Sequence, residues 1–455
     1  MSELIAAVST APLPAAIGIL RLSGPGAITA ADRVFRAKSG GPLAAAPDRK
    51  LVYGCLLDRE GQVVDQVLAT VSRAPRSYTG EETAEFQCHG SPLVLSLGLE
   101  ALYAAGARPA RAGEFTQRAF LNGRLDLPQA EAVADLLEAE TPQAVRTAAG
   151  QLTGALSRRV EEVYRGLVDL LAHFHAVLDY PDEDIDPFRA QEIAGALGTA
   201  HRRLEELLAT WQRGKFLTRG VPCAIVGLPN AGKSSLLNAL VGYERSIVTQ
   251  IPGTTRDTVE ERCVLGGVLL RLIDTAGLRD TDDPVERLGV ERSRAALEGA
   301  GLVLFLSDGS LPFSSEEAAL LREAMAAAPT VLVRTKADLP AVPLPELQLA
   351  PAATIALSVR TGEGLERLAA AVAALFPQGD VGEEGAVLTN TRQVQAARAA
   401  LEALEGAQAG LEEGVTPDAV LTDVEAALER LGELTGRTVR EDVVERIFSR
   451  FCVGK

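Results

Sequence analysis

Residues 227–234 read Gly-Leu-Pro-Asn-Ala-Gly-Lys-Ser, which is the pattern of a loop that binds polyphosphates. Small residues let backbone N–H groups close around the phosphates, Lys233 adds a positive charge beside them, and the Ser234 hydroxyl can ligate Mg²⁺. An apolar run at 223–226 ends at the first glycine, and residues 235–240 continue at helical spacing. A phosphate loop needs this order of strand, loop and helix. The sequence therefore predicts a nucleotide-binding α/β domain around this stretch.

Two later motifs have the spacing of loops that respond to the nucleotide state. Residues 249–257 read Thr-Gln-Ile-Pro-Gly-Thr-Thr-Arg-Asp, and a threonine there reaches Mg²⁺ only when a γ-phosphate is present. The predicted strand 269–273 runs into Asp-Thr-Ala-Gly, where Asp274 would hold the Mg²⁺ shell and the Gly277 amide would sense the γ-phosphate. We expect residues 249–257 to act as a switch loop that becomes ordered according to the nucleotide state.

A third motif indicates guanine as the base. Thr-Lys-Ala-Asp at 335–338 follows the predicted strand 330–333, and Asp338 can accept hydrogen bonds from N1–H and the N2 amino group of guanine. Adenine offers neither donor, so the aspartate selects GTP. Ser358 and Val359 follow the last predicted strand and suit backbone contact with the base. The predicted GTP-binding residues are Asn230, Ala231, Gly232, Lys233, Ser234, Ser235, Thr249, Gln250, Ile251, Pro252, Gly253, Thr254, Thr255, Asp274, Thr275, Ala276, Gly277, Thr335, Lys336, Ala337, Asp338, Ser358 and Val359.

Two residues near the phosphates bear on hydrolysis. Leu278 lies where Ras-type GTPases carry the glutamine that orients the attacking water, and a leucine cannot do this. The orienting group must therefore lie elsewhere. Asn230 offers a neutral oxygen near the phosphates, which can ligate a monovalent cation; the alternative is that it serves only the geometry of the turn.

The composition fits a multidomain protein without a large nucleic-acid-binding face. The chain has 455 residues, enough for two to four domains, and its net charge is −16. No apolar run approaches about 18 residues and no basic-then-apolar leader opens the chain, so we expect a cytoplasmic protein with no membrane association. The five cysteines are scattered, which indicates neither a zinc site nor a disulfide framework.

Hydrophobic periodicity divides the chain into four segments. Residues 1–120 mix strand and helix patterns, whereas 121–218 and 377–455 repeat at helical spacing and enclose residues 219–376. We therefore predict a multidomain α/β plus all-α protein, with an N-terminal α/β domain, a discontinuous helical domain and an inserted Ras-like P-loop GTPase domain. The predicted strands are 17–22, 51–57, 66–71, 223–226, 269–273, 302–306, 330–333 and 354–357, and predicted helices begin near Pro92 and Leu127.

Two polar features have open interpretations. His89 lies beside a glycine and could act as a base, although a hydrogen-bonded structural histidine is the commoner role. The acidic segment 179–186 is either a solvated turn between helices or a cation site, and it lacks the spacing and the glycine of a Ca²⁺ loop.

Several motifs resemble those of the MnmE (TrmE) family of tRNA-modification GTPases. They are Ile-Gly-Ile-Leu-Arg-Leu-Ser-Gly at 17–24, Thr-Gly-Glu at 79–81, Gly-Glu-Phe-Thr-Gln-Arg-Ala-Phe-Leu-Asn-Gly at 113–123 and Phe-Cys-Val-Gly-Lys at 451–455. With the inserted GTPase pattern and Asn230, the resemblance covers nearly the whole chain.

The resemblance implies a potassium-dependent GTPase that works as a homodimer. Glu286 matches the family's catalytic glutamate, which positions water and would fill the role that Leu278 leaves open. The residues that match the family's K⁺ ligands are Asn230, Thr249, Ile251 and Thr254, and those that match its Mg²⁺ ligands are Ser234 and Thr255.

The resemblance also implies one-carbon chemistry on tRNA. The N-terminal domain would dimerise and bind a 5-formyltetrahydrofolate-type carrier, and the residues at the family's folate-binding positions are Arg21, Glu85, Arg124 and Lys455. Cys452 matches a terminal cysteine needed for tRNA modification rather than for GTP hydrolysis. In a heterotetramer with an FAD-containing partner of the MnmG type, such a protein adds a carboxymethylaminomethyl or aminomethyl group to carbon 5 of the wobble uridine of certain tRNAs.

Three departures from the family pattern carry their own expectations. Thr335 replaces the usual asparagine of the guanine motif, so we expect a contact to the base and to the phosphate loop to be shortened or lost. GTP affinity should then be weaker, with selectivity retained through Asp338. Residues 9–16 lack the Gly/Arg-rich loop common near the family's N-terminus, and Arg124 stands where lysine is usual.

Two alternatives remain at this stage. A switch GTPase of ribosome assembly would use the same nucleotide domain without one-carbon chemistry, but such proteins usually append a basic RNA-binding domain, and the parts appended here are acidic. Without the resemblance, Cys452 would be interpreted as a small buried hydrophobic residue at a helix end.

Overall fold

The computed structural model describes residues 3–179, 190–243, 261–273, 297–346, 350–376, 385–449 and 451–454. The chain forms two compact units, one comprising Met1–Ala134 with Pro417–Lys455 and the other comprising Asp135–Thr416. The two ends of the chain therefore belong to the same unit. The predicted domain boundaries after residues 120, 218 and 376 stay predictions. Within the described residues, no helix has the length and apolar character needed to cross a membrane.

The helices and strands follow one another along the whole chain. The strands are β1 (Ile5–Val8), β2 (Ala15–Ser23), β3 (Phe35–Ala37), β4 (Val52–Leu57), β5 (Val63–Ser72), β6 (Thr83–Gly90), β7 (Arg108–Pro109), β8 (Val221–Gly227), β9 (Glu261–Leu265), β10 (Val268–Ile273), β11 (Leu302–Asp308), β12 (Thr330–Thr335) and β13 (Ala353–Ala356). The helices are α1 (Ala27–Arg33), α2 (Pro92–Ala104), α3 (Glu114–Leu121), α4 (Leu127–Glu138), α5 (Pro142–Leu152), α6 (Ala155–Asp179), α7 (Ala190–Ala209), α8 (Trp211–Arg219), α9 (Lys233–Tyr243), α10 (Ser315–Ala327), α11 (Leu365–Leu375), α12 (Thr391–Glu412), α13 (Pro417–Thr435) and α14 (Glu441–Phe448).

A mixed sheet organises the first unit. In the described part of the chain its order is β3-β4-β5-β6-β2-β1-β7, antiparallel apart from the pair β1 and β7. Side chains alternate across the sheet, so Leu20 and Phe86 are buried in a core that also takes in Leu102 of α2. Ile17 and Tyr53 lie on exposed positions of β2 and β4. The predicted strands at 17–22, 51–57 and 66–71 are confirmed.

The C-terminal segment packs into the first unit through aromatic side chains. Phe448 of α14 is almost fully buried, and its ring lies 6.2 Å from the ring of Phe120 and 5.3 Å from that of Phe451. At Gly113, an added Cβ atom would lie 2.6 Å from the carbonyl oxygen of Phe448 and φ is +63°, so the packing requires glycine there. The end of the chain is thereby fixed against the start of α3.

The second unit contains a mostly parallel sheet. Within the described residues its order is β13-β12-β11-β8-β10-β9, and β9 alone in this sheet runs antiparallel, which is the Ras-like arrangement that was expected. Leu236 of α9 and Leu368 of α11 join one core, and Leu321 of α10 joins the core on the other face. All five predicted strands of this sheet are confirmed. The helices α6, α7 and α12 also belong to this unit, and α7 lies against both of the others.

A buried carboxylate joins the start of α3 to its surroundings in the first unit. Glu114 is 2% exposed and accepts hydrogen bonds from Arg108 at 2.6 Å and from Arg118 at 2.9 Å. Burial alone would raise the pKa of Glu114, but the hydrogen bonds from Arg108, the Arg111 backbone and Arg118 outweigh it and lower that pKa from 4.5 to about 2. The charged form of Glu114 therefore stabilises the folded state.

We expect Glu114→Gln to lower the unfolding temperature at pH 7, because the buried Arg118 and the partly exposed Arg108 each lose one of their two carboxylate partners. Because the pKa of Glu114 is lower in the folded state, its ionisation stabilises the folded state fully above about pH 4.5, and this stabilisation is lost as the pH falls towards 2. Its contribution to the free energy of unfolding is on the order of 3 kcal/mol. The unfolding temperatures of wild type and variant, measured from pH 7 to pH 2, should converge. Glu60→Gln, at an exposed carboxylate, is the control, and a gap that stays constant with pH would contradict the assignment.

Candidate functional site

The phosphate loop lies between β8 and α9, as predicted. β8 ends at Gly227, where an added Cβ atom would lie 2.4 Å from the carbonyl oxygen of Leu306, so only glycine allows β8 and β11 to approach. The loop then passes through Asn230 and Gly232, which have φ values of +63° and +94°. α9 begins at Lys233 directly after this turn. A turn that ends at a helix N-terminus is the arrangement that binds phosphate.

Two polar side chains of this loop, Lys233 and Ser234, are the ones predicted to meet the phosphates and Mg²⁺. The Nζ atom of Lys233 donates to the carbonyl oxygens of Gly227 at 2.7 Å and Leu228 at 2.9 Å, and burial lowers the pKa of this ammonium group. Ser234 is exposed on the first turn of α9, so its hydroxyl is accessible as an Mg²⁺ ligand. Its predicted partner Thr255 lies outside the described residues.

A hydroxyl group connects the guanine motif to the phosphate loop. Thr335 is 3% exposed at the end of β12, and its Oγ1 atom donates to the carbonyl oxygen of Ala231 at 2.8 Å; the carbonyl oxygen of Ser307 lies 3.2 Å from the same atom. The contact with the phosphate loop, which we expected to be shortened or lost, is therefore present. Threonine keeps this contact because β12 ends directly beside the loop. Weaker contact with the base stays a prediction.

Asp338 is held in one orientation by its neighbours. Its Oδ1 atom accepts a hydrogen bond from the Ser358 hydroxyl at 2.7 Å, and the guanidinium of Arg360 lies 3.8 Å from Oδ2. The hydrogen bond from Ser358 lowers the pKa of Asp338, so the carboxylate is charged at neutral pH. The Ala337 amide donates to the Leu357 carbonyl at 3.1 Å, which ties the motif to the segment after β13. The carboxylate can therefore accept hydrogen bonds from a base without first reorienting.

Sequence reasoning missed a carboxylate that orients Lys336. The Nζ atom of Lys336 donates to Oδ2 of Asp308 at 2.6 Å, and the backbone of Lys336 has φ of +57°. Burial raises the pKa of Asp308, but hydrogen bonds from Lys336 and Ser310 outweigh this and leave that pKa below its ordinary value. The available signal was the position of Asp308 at the end of a predicted strand beside the motif.

Many predicted residues lie outside the described part of the chain. Their roles stay predictions. They are Thr249, Gln250, Ile251, Pro252, Gly253, Thr254, Thr255, Asp274, Thr275, Ala276, Gly277, Leu278, Glu286, Lys455 and residues 180–186 of the acidic segment. Among the described residues, no group of three or more His, Cys, Asp or Glu side chains has the arrangement of a metal site.

A second polar site lies in the first unit, where predicted folate-binding residues meet the C-terminal tail. The Nε atom of Arg21 on β2 donates to Oε1 of Glu85 on β6 at 2.6 Å, and the guanidinium lies 5.7 Å from the centre of the Phe115 ring. The carbonyl oxygen of Gly454 accepts from Ser9 at 3.0 Å and from Arg21 at 3.4 Å. The structure thus brings Arg21 and Glu85 together beside the end of the chain.

The tail leaves Cys452 accessible. The thiol is free and exposed, while the Cys452 carbonyl oxygen accepts from the Gly113 amide at 3.2 Å and Val453 pairs with Ala112. The interpretation of Cys452 as a buried hydrophobic residue is therefore wrong. Because its backbone is fixed on both sides, the thiol occupies a defined position on the surface of this unit.

Arg124 and His89 complete the sequence-derived candidates. Arg124 is exposed and lies against the turn at Gly80, where an added Cβ atom would come within 3.3 Å of its Cγ atom. His89 is also exposed, and its Nδ1 atom forms a hydrogen bond of 2.7 Å with Asp65. The structural role expected for His89 agrees with this contact.

Comparisons with known proteins agree with the fold of both units. The chain matches the family model for the GTP-binding protein TrmE N-terminus over residues 4–124 and the model for the MnmE helical domain over residues 127–452. It is 46% identical over 459 residues to the tRNA modification GTPase MnmE of Chloroflexus aurantiacus, with all of both chains covered. The chain belongs to the MnmE family.

Other curated relatives agree with this MnmE assignment. Identity is 45% over 458 residues with the tRNA modification GTPase MnmE of Thermus thermophilus, again with all of both chains covered. The sequence identity with the tRNA modification GTPase MnmE of Symbiobacterium thermophilum is 43% over 456 residues, which covers all of this chain and 99% of the relative. The resemblance stated from the sequence is confirmed over the full length.

In this MnmE-family chain, we expect Thr335→Val to weaken binding of GDP by about tenfold, because the Ala231 carbonyl loses a buried donor. The measurement is titration of a fluorescent GDP in Mg²⁺ buffer. Thr335→Ser keeps the hydroxyl and should bind within about threefold of wild type. Unchanged affinity in Thr335→Val would show that the hydroxyl does not support the phosphate loop.

Proposed function

We propose that this protein hydrolyses GTP and uses the hydrolysis cycle in the modification of wobble uridine in tRNA. The observation that carries the proposal is the joined nucleotide site: Thr335 ties the guanine motif to the phosphate loop, and Asp338 is preoriented by Ser358. The full-length similarity to proteins named tRNA modification GTPase MnmE supports the second half.

Each part of the nucleotide has a proposed partner. Lys233 and the first turn of α9 would bind the phosphates, and Ser234 would ligate Mg²⁺, which neutralises charge on the transferred phosphoryl group. Asp338 would accept from the guanine N1–H and N2 amino group. Exclusion of ATP follows because adenine would leave the charged Asp338 carboxylate without these donors.

The proposed hydrolytic group is Glu286, with K⁺ in place of an arginine finger. Leucine at position 278 cannot orient water, and Glu286 is the family's match for that role. Asn230 is exposed within the phosphate loop, which leaves its side-chain oxygen available to a monovalent ion. Such an ion would stabilise charge that develops between the β- and γ-phosphates. Thr249, Ile251 and Thr254 would supply the remaining ligands.

Replacing KCl with NaCl should lower GTP turnover by at least about tenfold, since the proposed cation acts only in the transition state. Glu286→Ala should lower turnover by about a hundredfold in KCl while GDP affinity stays within twofold. Glu316→Ala, at an exposed position of α10, is the matched control. Equal turnover in the two salts would remove potassium from the mechanism, and normal turnover in Glu286→Ala would remove the glutamate.

For the tRNA chemistry, we propose that Arg21, Glu85, Arg124 and Lys455 bind a folate one-carbon carrier and that Cys452 acts at the same place. Support comes from the contact between Arg21 and Glu85 and from the Gly454 carbonyl that faces Arg21. A charged pair on two neighbouring inner strands of the sheet offers both a donor and an acceptor to a pterin ring. The FAD-containing partner of the MnmG type would act on the uridine together with this site.

We further propose that the first unit dimerises through the open face of its sheet. Ile17 and Tyr53 are 57% and 48% exposed there, and Leu51 is 55% exposed beside them. An exposed apolar sheet face of this kind is typical of a surface that another copy covers. Arg21 and Glu85 point from the same face of β2 and β6, so a dimer would also enclose the proposed folate site.

Deletion of the protein from its host should abolish carboxymethylaminomethyl-type nucleosides at the wobble position, as measured by mass spectrometry of digested tRNA. Wild-type protein should restore them. Cys452→Ser should leave them absent while purified Cys452→Ser still hydrolyses GTP, and Cys55→Ser is the matched control for cysteine replacement. Normal nucleosides in the deletion strain with altered ribosome profiles would favour a GTPase of ribosome assembly instead.

A further inference from the structure

A buried arginine directly precedes the guanine motif. Arg334 lies on β12 and is 6% exposed, although a strand covered on both faces normally carries apolar residues there. Its guanidinium donates to the Ser307 hydroxyl at 2.9 Å and to the carbonyl oxygens of Gly309 at 3.2 Å, Val342 at 3.0 Å and Leu311 at 3.4 Å. Four acceptors from two separate chain segments therefore meet one side chain.

These contacts close the base of the loop that carries Asp338. Residues 335–341 start at Thr335, the last residue of β12, and the chain returns at Val342, whose carbonyl oxygen accepts from the same Arg334 guanidinium. The Val342 amide donates to the Gly309 carbonyl at 2.9 Å, and the Gly309 amide donates to the Thr335 carbonyl at 2.9 Å. The two ends of the guanine loop are thus held to each other and to the segment after β11.

The same segment also orients the motif itself. Asp308, the last residue of β11, accepts from Lys336, and Ser307 lies beside Thr335. A lysine at position 334 would place one point charge there and could not reach the separate carbonyls in the planar fork that a guanidinium provides. Burial lowers the pKa of Arg334, and the carboxylates of Glu317 and Asp308 oppose this.

We propose that Arg334 is a positioning residue for guanine recognition, clamping the guanine loop so that Asp338 stands where it meets the base. The proposal rests on the proposed GTP-binding function. Arg334 makes no contact with the nucleotide in this scheme and acts through the loop 335–341. Its loss should therefore weaken recognition of the base more than recognition of the phosphates.

The test compares GDP with IDP, whose base lacks the 2-amino group from which Asp338 would accept a hydrogen bond. Fluorescent derivatives of both are titrated into the full-length protein in Mg²⁺ and K⁺ buffer. Wild type should bind GDP about ten- to hundredfold more tightly than IDP, the usual effect of one hydrogen bond to a charged group. Arg334→Met should reduce the ratio of the IDP to the GDP dissociation constant at least threefold. It should also raise KM for GTP about tenfold, while kcat stays within about twofold of the wild-type value.

Two further variants keep the test decisive. Arg322→Met, at an exposed arginine of α10, should keep the wild-type ratio. Arg334→Lys retains the charge and should still reduce the ratio at least threefold; it decides the question if Arg334→Met does not fold. A ratio of IDP to GDP dissociation constants within twofold of wild type in the folded Arg334 variants would overturn the proposal, even if their melting temperatures fall. Wild-type protein that binds ADP as tightly as GDP would instead refute the proposed GTP-binding function.

Discussion

The hydrogen bond from Thr335 to the Ala231 carbonyl is the interaction on which the nucleotide site depends. It joins the loop that would bind the phosphates to the strand end that would bind the base. A nucleotide spans these two places with a fixed length, so a protein that fixes their separation beforehand loses less conformational entropy on binding. Because Thr335 is buried, removing its hydroxyl would leave the carbonyl without a donor, at a cost of about 1–3 kcal/mol.

The parallel sheet makes that interaction possible. β8, β11 and β12 are neighbours and run in the same direction, so their carboxyl ends, and the loops that follow, lie at one edge of the sheet. Close approach is required there, which is why Gly227 faces the Leu306 carbonyl with no room for a side chain. The phosphate loop, Asp308 and the guanine motif meet at this edge, although Ala231 and Thr335 lie 104 residues apart in the sequence.

In the first unit, the residues that follow the buried Phe451 are held by backbone contacts. An added Cβ atom at Gly454 would lie 2.3 Å from the Val8 carbonyl oxygen, and φ is +95°, so glycine alone fits this position. The Gly454 carbonyl then faces Arg21, and the exposed Cys452 is fixed two residues away. A thiol on a free tail would lose considerable entropy on reaching a reaction partner, whereas a thiol on a fixed backbone does not.

Patterns in the sequence predicted the strands that are buried on both faces. The apolar runs of β8, β11 and β12 are buried along their whole length, so period and composition were sufficient. β1, with the sequence Ile-Ala-Ala-Val, was missed because alanine has little preference for strands, and pairing with β2 decides its conformation.

The burial of Arg334 was missed for a different reason. Patterning treats arginine as exposed, and burial at this position is tolerated only because carbonyl oxygens from outside the strand, 8 and 25 residues away in the sequence, converge on it. The sequence therefore predicts which groups would contact the nucleotide, whereas the groups that hold them in place depend on tertiary contacts that no local pattern contains.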